Sequence, residues 1–466
     1  MRSCQILPAL TLFLLVGSQA TAQGSTQSSR QSPSSPFLGS VSKGTAAPEP
    51  LPLSVKDAVQ RALQNNLGLL LQDESEVTAG GARWRALADL LPTVSGALRT
   101  SRQVINLEAY GFPAAQPIVG PFNVHDARVY LSQPLVDVSA LNEARASSLN
   151  LRAEKYGVRT ARDLVILVAV NLYLESVASS SRVEMTRAQQ STAEALFTQA
   201  QDLKTAGIVA GIDVLRAQVQ LQTQRQRVIA AENDFEKAKL QLARAIGLPL
   251  GQVFTLTDKI PYAPLPVPSL DEVLARALDA RPDFLAAKSR VEAAQASIRA
   301  ASGALLPSLR FDGDYGAIGQ TYGDAHGTFS VAATVRIPVF DGGRTRARRV
   351  EAGSTLRQRE AELADIKGRV EYEVRAALLD LRAADQQLQA SNTNRQLADA
   401  ELTQARDRFG AGVASNLEIT QAQEAVAAAS EQYIAALYSH NLAKASLARA
   451  LGIAETAVTT YLGGVQ

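Results

Sequence analysis

The sequence is poor in the residues that build redox, metal and catalytic sites. Its 466 residues include one cysteine, one tryptophan and three histidines. A single thiol, Cys4, allows neither an internal disulfide nor a cysteine-based metal site. His125, His326 and His440 lie far apart, without partners at the spacing of metal ligands. Nucleophile motifs, phosphate loops and dinucleotide fingerprints are also lacking, so we expect no enzyme, no catalytic residue, no metal and no cofactor.

The sequence also has no large excess of positive or negative charge. The 47 Lys and Arg residues nearly balance the 45 Asp and Glu residues, which leaves a net charge of +2. This balance argues against nucleic acid as a partner. Aromatic residues make up 5% of the chain, and Ala, Gln, Leu, Arg and Glu dominate long stretches. Such a composition favours long helices over a bulky globular core.

The first residues have the pattern of an export signal. Arg2 precedes the apolar run 6–16, and Ala20 and Ala22 form a small-residue cleavage site. The run is too short to span a membrane, so we predict a signal peptide over 1–22. Residues 23–52 are mostly Ser, Pro, Gln and Gly, and this composition predicts a disordered N-terminal arm.

The remaining chain is a duplication. Five motifs of the first half return in order in the second half, at offsets of about 205 to 215 residues. We therefore predict a first repeat over 53–249, a linker over 250–268, a second repeat over 269–455 and a C-terminal tail over 456–466. The paired segments are 54–63 with 269–278, 90–92 with 305–307, 134–137 with 338–341, Gly207 with Gly412, and 243–247 with 448–452.

Each repeat changes its hydrophobic period twice. A two-residue alternation predicts strands within about 93–133 and 308–337. A helical pattern follows in each repeat and predicts hairpins over about 137–247 and 344–452. The longer helix of each hairpin would extend roughly 100 Å, and two shorter helices placed end to end would match it. The apolar run 164–174 is then a seam between helices rather than a membrane span.

The strands leave two interpretations open. Apolar and polar faces of this kind suit a half-buried soluble sandwich or an outer-membrane barrel. Four strands per chain cannot close a barrel, and lipid does not tolerate open strand edges. A barrel must therefore be shared between copies: three copies would supply twelve strands around a water-filled lumen, whereas two would supply eight around a filled interior.

The two hairpin tips share a construction. The helical pattern stops at Gly207 and again at Gly410 and Gly412, where glycine permits a reversal of the chain. In the second tip Ser415 or Asn416 has the character of an N-cap, and Glu418 follows in the first turn.

In order and in duplicate, these motifs resemble those of the TolC-like outer-membrane efflux proteins. The resemblance covers about residues 53–455 and is carried by the Leu-Leu-Pro segments, the Pro-Val-Phe-Asp-Gly-Gly-Arg segment 338–344, the tips, and the Ala-Arg-Ala segments at the helix ends. It implies a mainly α fold with β: duplicated long coiled-coil hairpins plus four strands per chain, trimerising into a 12-stranded outer-membrane barrel and a 12-helix periplasmic tunnel.

The resemblance also implies partners and sites. The partners would be two further copies, a periplasmic adaptor, outer-membrane lipid, and an inner-membrane transporter of the RND, ABC or MFS class. The tips would contact the adaptor through small and apolar residues: Gly207, Ile208, Val209, Ala210, Gly412, Val413, Ala414 and Ser415. A plain helix C-cap is the alternative for the glycines, and the two roles are compatible.

A gate would lie beside the tips, where the family places acidic residues around a constriction. Asp213 and Glu418 match those positions, and three-fold symmetry would make Glu418 a ring of charge; a solvent-facing first-turn acid is the alternative. Gln421 stands where an acid can occur. Phe409 lacks a phenol hydroxyl and Ala414 lacks a guanidinium, which leaves Arg406 or Arg408 as the expected gate contacts.

The resemblance implies the exit duct of a tripartite efflux pump for small molecules. Two alternatives remain at this stage: the exit duct of a type I protein secretion system, and a soluble periplasmic coiled-coil scaffold. The sequence names neither the transported substrate nor the pump.

Overall fold

The computed structural model describes residues 35–113, 115–258, 264–265, 269–411, 413 and 416–461. The strands are β1 Leu51–Leu53, β2 Thr93–Asn106, β3 Ile118–Val136, β4 Phe254–Leu256, β5 Ser308–Gly319 and β6 His326–Arg336. The helices are α1 Val55–Asn65, α2 Leu67–Ala88, α3 Val138–Thr205, α4 Gly211–Ile246, α5 Leu270–Ala280, α6 Pro282–Gly303, α7 Arg344–Gly410, α8 Asn416–Ala450 and α9 Ala454–Tyr461.

Four strands form one antiparallel sheet in the order β2-β3-β5-β6, as the period-two segments predict. The register places Val129 opposite Tyr315, and Tyr315 opposite Phe329. Strands β2 and β6 have a neighbour on one side only, so both edges of the sheet are open in the single chain. The predicted pair of strands in each repeat is confirmed.

The two faces of the sheet differ in polarity. One face exposes Leu98, Tyr315 and Phe329, with 87%, 69% and 76% of their surfaces accessible. On the other face, the guanidinium of Arg128 forms ion pairs with Asp126 and Asp314. It also donates a hydrogen bond of 2.9 Å from Nη2 to the Thr328 hydroxyl. An apolar face toward lipid and a charged face toward a lumen is the alternation of a membrane barrel.

Gly316 makes room for this charged cluster. It lies opposite Thr328 in β6 and Arg128 in β3. A Cβ at Gly316 would lie 2.8 Å from the Cβ of Arg128. A larger residue would therefore displace β3 or the guanidinium that bridges three strands.

The helices form the predicted hairpins, with one long helix facing two shorter ones placed end to end. Helix α3 has 68 residues and packs along α2 and α4, whereas α7 has 67 residues and packs along α6 and α8. The stacking points are equivalent in the two repeats. Gly247 ends α4 with a φ of 77° against Asn65, and Gly452 follows α8 with a φ of 69° against Arg281. Glycine is needed at both points, because each combines a left-handed backbone with a close neighbour.

The main core lies where the helices of the first repeat meet. Val165, Ile166, Val170, Tyr173 and Leu174 are buried there, and they belong to the apolar run of the sequence. Among the described residues, α3 is the one helix with a window long and apolar enough to cross a membrane, and more than half of that window is buried in the fold. The run is a seam, as predicted.

Two boundaries differ from the sequence prediction. Residues 35–52 were expected to belong to the disordered arm, but they lie against the helices: Val41 donates a 2.8 Å hydrogen bond to the Asn65 carbonyl, and β1 pairs with β4 inside the linker. Phe37 and the apolar alternation at Leu51 and Leu53 supply the burial that composition alone obscured. The tail begins with α9, which packs on α8 and α3. The signal peptide and residues 23–34 lie outside the described residues.

Candidate functional site

The first hairpin tip is a tight reversal built on glycine. Helix α3 ends at Thr205, and Gly207 follows with a φ of 74°. The Ile208 amide donates a 2.9 Å hydrogen bond back to the Leu203 carbonyl, which closes the end of the helix. Ala210 precedes α4 and provides no capping side chain. Ile208 is 66% exposed, so the tip presents an apolar side chain to its surroundings.

The second tip reverses in a similar way. Helix α7 ends at Gly410, and the Val413 amide donates a 3.0 Å hydrogen bond to the Arg408 carbonyl. Val413 is 69% exposed. Gly412, Ala414 and Ser415, three of the predicted adaptor contacts, lie outside the described residues.

Phe409 anchors the second tip. Its ring is 8% exposed and packs in a cluster with Leu402, Ile419 and Ala422 of the same hairpin. Leu203 of α3 lies against this cluster, so the ends of the two hairpins share one small core. The sequence comparison noted only that Phe409 lacks a hydroxyl. Its apolar ring is instead what holds the tips side by side.

Two predicted gate residues meet across the second tip. The Arg408 Nε and the Glu418 Oε1 lie 3.1 Å apart, with 58% and 43% of the two side chains exposed. Arg408 lies at the end of α7, and Glu418 lies in the first turn of α8. The ion pair therefore bridges the chain reversal from one helix to the next.

The other three predicted gate residues lie apart from this pair. Asp213 pairs with Arg216 on its own helix, with 3.4 Å between Oδ1 and Nη1. Arg406 is exposed and lines a cavity of about 290 Å³ between the hairpins, together with Gln224 and Gln423. Gln421 is exposed on α8. The single chain thus joins Arg408 to Glu418 and does not gather all five residues.

A second cross-link between the hairpins was missed in the sequence. The Arg227 guanidinium of α4 donates two hydrogen bonds to the Glu424 carboxylate of α8, at 2.9 Å from Nη2 to Oε2 and 3.2 Å from Nη1 to Oε1. Gln220 donates a further 2.9 Å hydrogen bond to Oε1. Burial works against the charged form, but the donors from Arg227 and Gln220 outweigh it and hold the pKa of Glu424 below its ordinary value. No local spacing in the sequence points to this contact, because Arg227 and Glu424 are 197 residues apart and lie on different hairpins.

An apolar stripe runs from the first tip along α4. Ile208, Ile212, Leu215 and Val219 are all more than half exposed. The spacing of four, three and four residues keeps them on one helical face. Such a face on a long helix belongs against another helix, and none of the described elements of the chain covers it.

The fold and the site define a class: a chain whose long helical hairpins carry a four-stranded sheet with one apolar face at one end and two exposed chain reversals at the other. The family model for the outer membrane efflux protein matches residues 58–248 and 273–453. The chain belongs to the outer membrane efflux protein family, and it is an exit channel of the outer membrane with a periplasmic helical extension.

Curated relatives agree with this placement. The chain is 26% identical over 381 residues to the pyoverdine export outer membrane protein OpmQ of Pseudomonas putida, covering 78% of each protein. It is 23% identical over 336 residues to the alkaline protease secretion protein AprF of Pseudomonas aeruginosa, covering 70% of this chain and 69% of the relative.

Solved structures confirm the fold. The outer-membrane channel OprN superposes with a TM-score of 0.74 at 19% identity, covering 85% of this chain and 89% of its own. The channel CusC superposes with a TM-score of 0.73 at 19% identity, covering 91% and 98%. The predicted TolC-like fold is confirmed.

Proposed function

We propose that three copies of this chain form the exit duct of a tripartite efflux pump for small molecules. The duct would receive its cargo from an inner-membrane transporter through a periplasmic adaptor and release it outside the cell. Each copy would contribute four strands to a twelve-stranded barrel and four helical positions to the tunnel wall.

The proposal of a trimer rests mainly on the open edges of the sheet. β2 and β6 each leave one row of backbone groups unpaired, while the apolar face that they flank belongs in lipid. An unpaired edge within the hydrocarbon layer costs several kcal/mol per group, so the edges must meet in a closed ring. Pairing β6 of one copy with β2 of the next satisfies both edges, and three copies leave a water-filled interior.

The tips support the adaptor contact. Ile208 and Val413 are exposed apolar residues at the two reversals, and Val209 and Ala210 complete a tip without charged side chains. Gly207, Gly412, Ala414 and Ser415 have small side chains or none, which would let another helical hairpin approach closely. The exposed stripe on α4 offers the neighbouring helix a seam of the coiled-coil kind.

The gate would be held by two ion pairs, one within the second hairpin and one between the two hairpins. Arg408 and Glu418 would hold the second tip in its inward form, with Arg406, Asp213 and Gln421 near the same constriction. Arg227 and Glu424 would hold α8 against α4, so that the second hairpin cannot swing away from the first.

Deletion of the gene tests this function. We expect the deletion strain to be more susceptible to small toxic compounds. The full chain expressed from a plasmid should restore its resistance. The protein should migrate in the outer-membrane fraction as a trimer that dissociates on heating. A soluble monomer in the periplasm would contradict the duct and would favour the scaffold alternative.

Protein secretion is a second candidate because AprF, a relative, is named for secretion of a protease. The same deletion strain separates the two. Loss of one secreted protein with unchanged susceptibility to toxic compounds would favour a secretion duct. Increased susceptibility with an unchanged set of secreted proteins would favour the pump.

A further inference from the structure

Four arginines crowd the start of α7, directly below the sheet. They are Arg344, Arg346, Arg348 and Arg349, and all four are exposed. No acidic residue lies in the first turn of the helix. Across the described part of the chain, no carboxylate forms an ion pair with any of them.

Four positive charges at this position destabilise the helix. The amino end of a helix carries a partial positive charge, so acids stabilise it and cations destabilise it. Asp341 offsets part of this charge, because its carboxylate accepts hydrogen bonds from the amides of Gly343 and Thr345 at 2.9 and 2.7 Å. These donors lower the pKa of Asp341, so the capping charge persists in acid.

The first repeat shows that the fold does not require the arginines. Asp137 caps α3 with a 2.9 Å hydrogen bond from the Ala140 amide, as Asp341 caps α7. The eight residues from Val138 contain one arginine, Arg145, and an exposed Leu141. The cap is shared by both repeats, and the basic cluster is specific to α7.

Part of the cluster lines a groove. The cavity between α6 and α7 has a volume of about 700 Å³. Its basic residues are Arg346, Arg349 and Arg357 of α7, and the Asp341 carboxylate lines it at the start of that helix. The apolar wall consists of Ile298 of α6 and Leu305, which follows α6. Gly353 lies between the arginines, and a Cβ there would be 3.7 Å from Nη1 of Arg357. The groove therefore combines an apolar wall with guanidinium groups.

The opposite face of α7 is different. Arg344, Arg348, Glu351 and Thr355 follow one another at helical spacing and are all exposed and polar. The groove face instead exposes Val350 and Leu305, at 63% and 49%. A water-filled tunnel suits the fully polar face, whereas exposed apolar side chains suit contact with lipid. The groove face is accordingly the outer surface of the tunnel wall.

Depth is consistent with this orientation. Val339 and Phe340, between β6 and α7, are apolar and 93% and 90% exposed, which suits the edge of the hydrocarbon layer. Headgroups extend roughly 5 to 8 Å beyond the hydrocarbon layer. At 1.5 Å per residue, Arg346 and Arg349 lie roughly 3 to 8 Å beyond the start of α7. With the hydrocarbon boundary at Phe340, both guanidinium groups lie at the depth of the inner-leaflet phosphates.

We propose that the α6–α7 groove binds the headgroup of an anionic phospholipid from the inner leaflet of the outer membrane, with Arg346 and Arg349 contacting the phosphate and Leu305 and Val350 contacting the acyl chains. Guanidinium groups bind phosphate through paired, charge-assisted hydrogen bonds. This inference depends on the outer-membrane location and not on the transported substrate.

Native mass spectrometry of the purified full-length assembly tests the proposal with dioleoylphosphatidylglycerol and, for comparison, dioleoylphosphatidylcholine. The variant Arg346→Gln/Arg349→Gln should bind phosphatidylglycerol roughly tenfold more weakly, or worse. The control Arg344→Gln/Arg348→Gln removes the same charge from the opposite face and should change binding less than roughly twofold. Equal losses in both variants, or none in the first, would overturn the proposal.

Two further variants keep the test decisive if charge removal prevents assembly. Gly353→Leu fills the groove without changing any charge and should also weaken binding of phosphatidylglycerol; unchanged binding would contradict a groove site. A fluorophore on Val350→Cys in phospholipid vesicles should be quenched by a doxyl-labelled phospholipid. Quenching by aqueous iodide alone would place the groove in the lumen, where an anionic cargo and not lipid would occupy it.

Discussion

Arg408 and Glu418 form an ion pair across the second hairpin tip, with 3.1 Å between Nε and Oε1. The pair joins the last turn of α7 to the first turn of α8. Glu418, which the sequence predicted as part of a ring of like charges, therefore has a cation beside it in its own chain. An opening of the mouth that separates the two helix ends must break this contact.

Neutralising either member should loosen the mouth. Exposed pairs of this kind contribute roughly 0 to 1 kcal/mol, so Arg408→Gln should raise the open fraction by at most about fivefold. Conductance of single channels in planar bilayers measures this fraction. Arg406→Gln removes an equal charge from the same helix, away from the pair, and should have less effect; equal effects would show that net charge and not the pair controls the mouth.

The Arg227–Glu424 pair should also hold the channel closed. Glu424→Gln and Arg227→Gln should each increase channel opening, and the double variant should add little to either single change because both remove the same contact. Conductance of all three variants gives the coupling energy through a double-mutant cycle. Fully additive effects would show that the two side chains act independently, and unchanged opening in the single variants would contradict a gate role for this contact.

Asp163 should make stability fall as pH rises. Burial, assisted by the nearby Glu455 carboxylate, raises the pKa of Asp163 from 3.8 to about 6. Between these values the folded chain binds more protons than the unfolded chain, so stability declines from about pH 4 to pH 6 and stays lower above. Asp163→Asn should raise the melting temperature at pH 7.5, with a smaller gain at pH 4. Glu74→Gln, an exposed control, should leave the profile unchanged.

Arg281 should be a major contributor to the second repeat. Its side chain is 5% exposed and pairs with Asp283 and Glu373, each at 2.6 Å. Burial alone would lower the pKa of the guanidinium, but the two carboxylates outweigh it and raise the pKa. Arg281→Met leaves both acids without their cation and should cost roughly 3 kcal/mol. The shift in the urea midpoint measures it, and a change below about 1 kcal/mol would contradict this role.

Much of the fold could be predicted from the sequence because its signals are periodic and repeated. The alternation around Tyr315 and Phe329 gave the strands, the uninterrupted helical pattern gave α3 and α7, and the duplication related Gly247 to Gly452. Residues 35–52 were misjudged because their burial depends on distant partners such as Gln252, which donates to the Glu49 carbonyl and accepts from the Ala47 amide.

The candidate site was less accessible to sequence reasoning. Arg408 and Glu418 were both predicted as gate residues, but their ion pair across the reversal was seen only in the structure. Glu424 was missed because its partner Arg227 belongs to the other hairpin, and a pairing between separate helices leaves no local spacing. The role of Phe409 likewise became visible only when Leu203 of α3 was found against it.

The claim of a shared barrel is tested most directly on the purified full-length protein, by native mass spectrometry of the preparation whose conductance is recorded in a planar bilayer. We expect an assembly of three copies that dissociates on heating and conducts ions as a water-filled pore. A monomer or dimer, or a trimer that never conducts when Arg408 and Arg227 are both replaced by Gln, would contradict the exit duct.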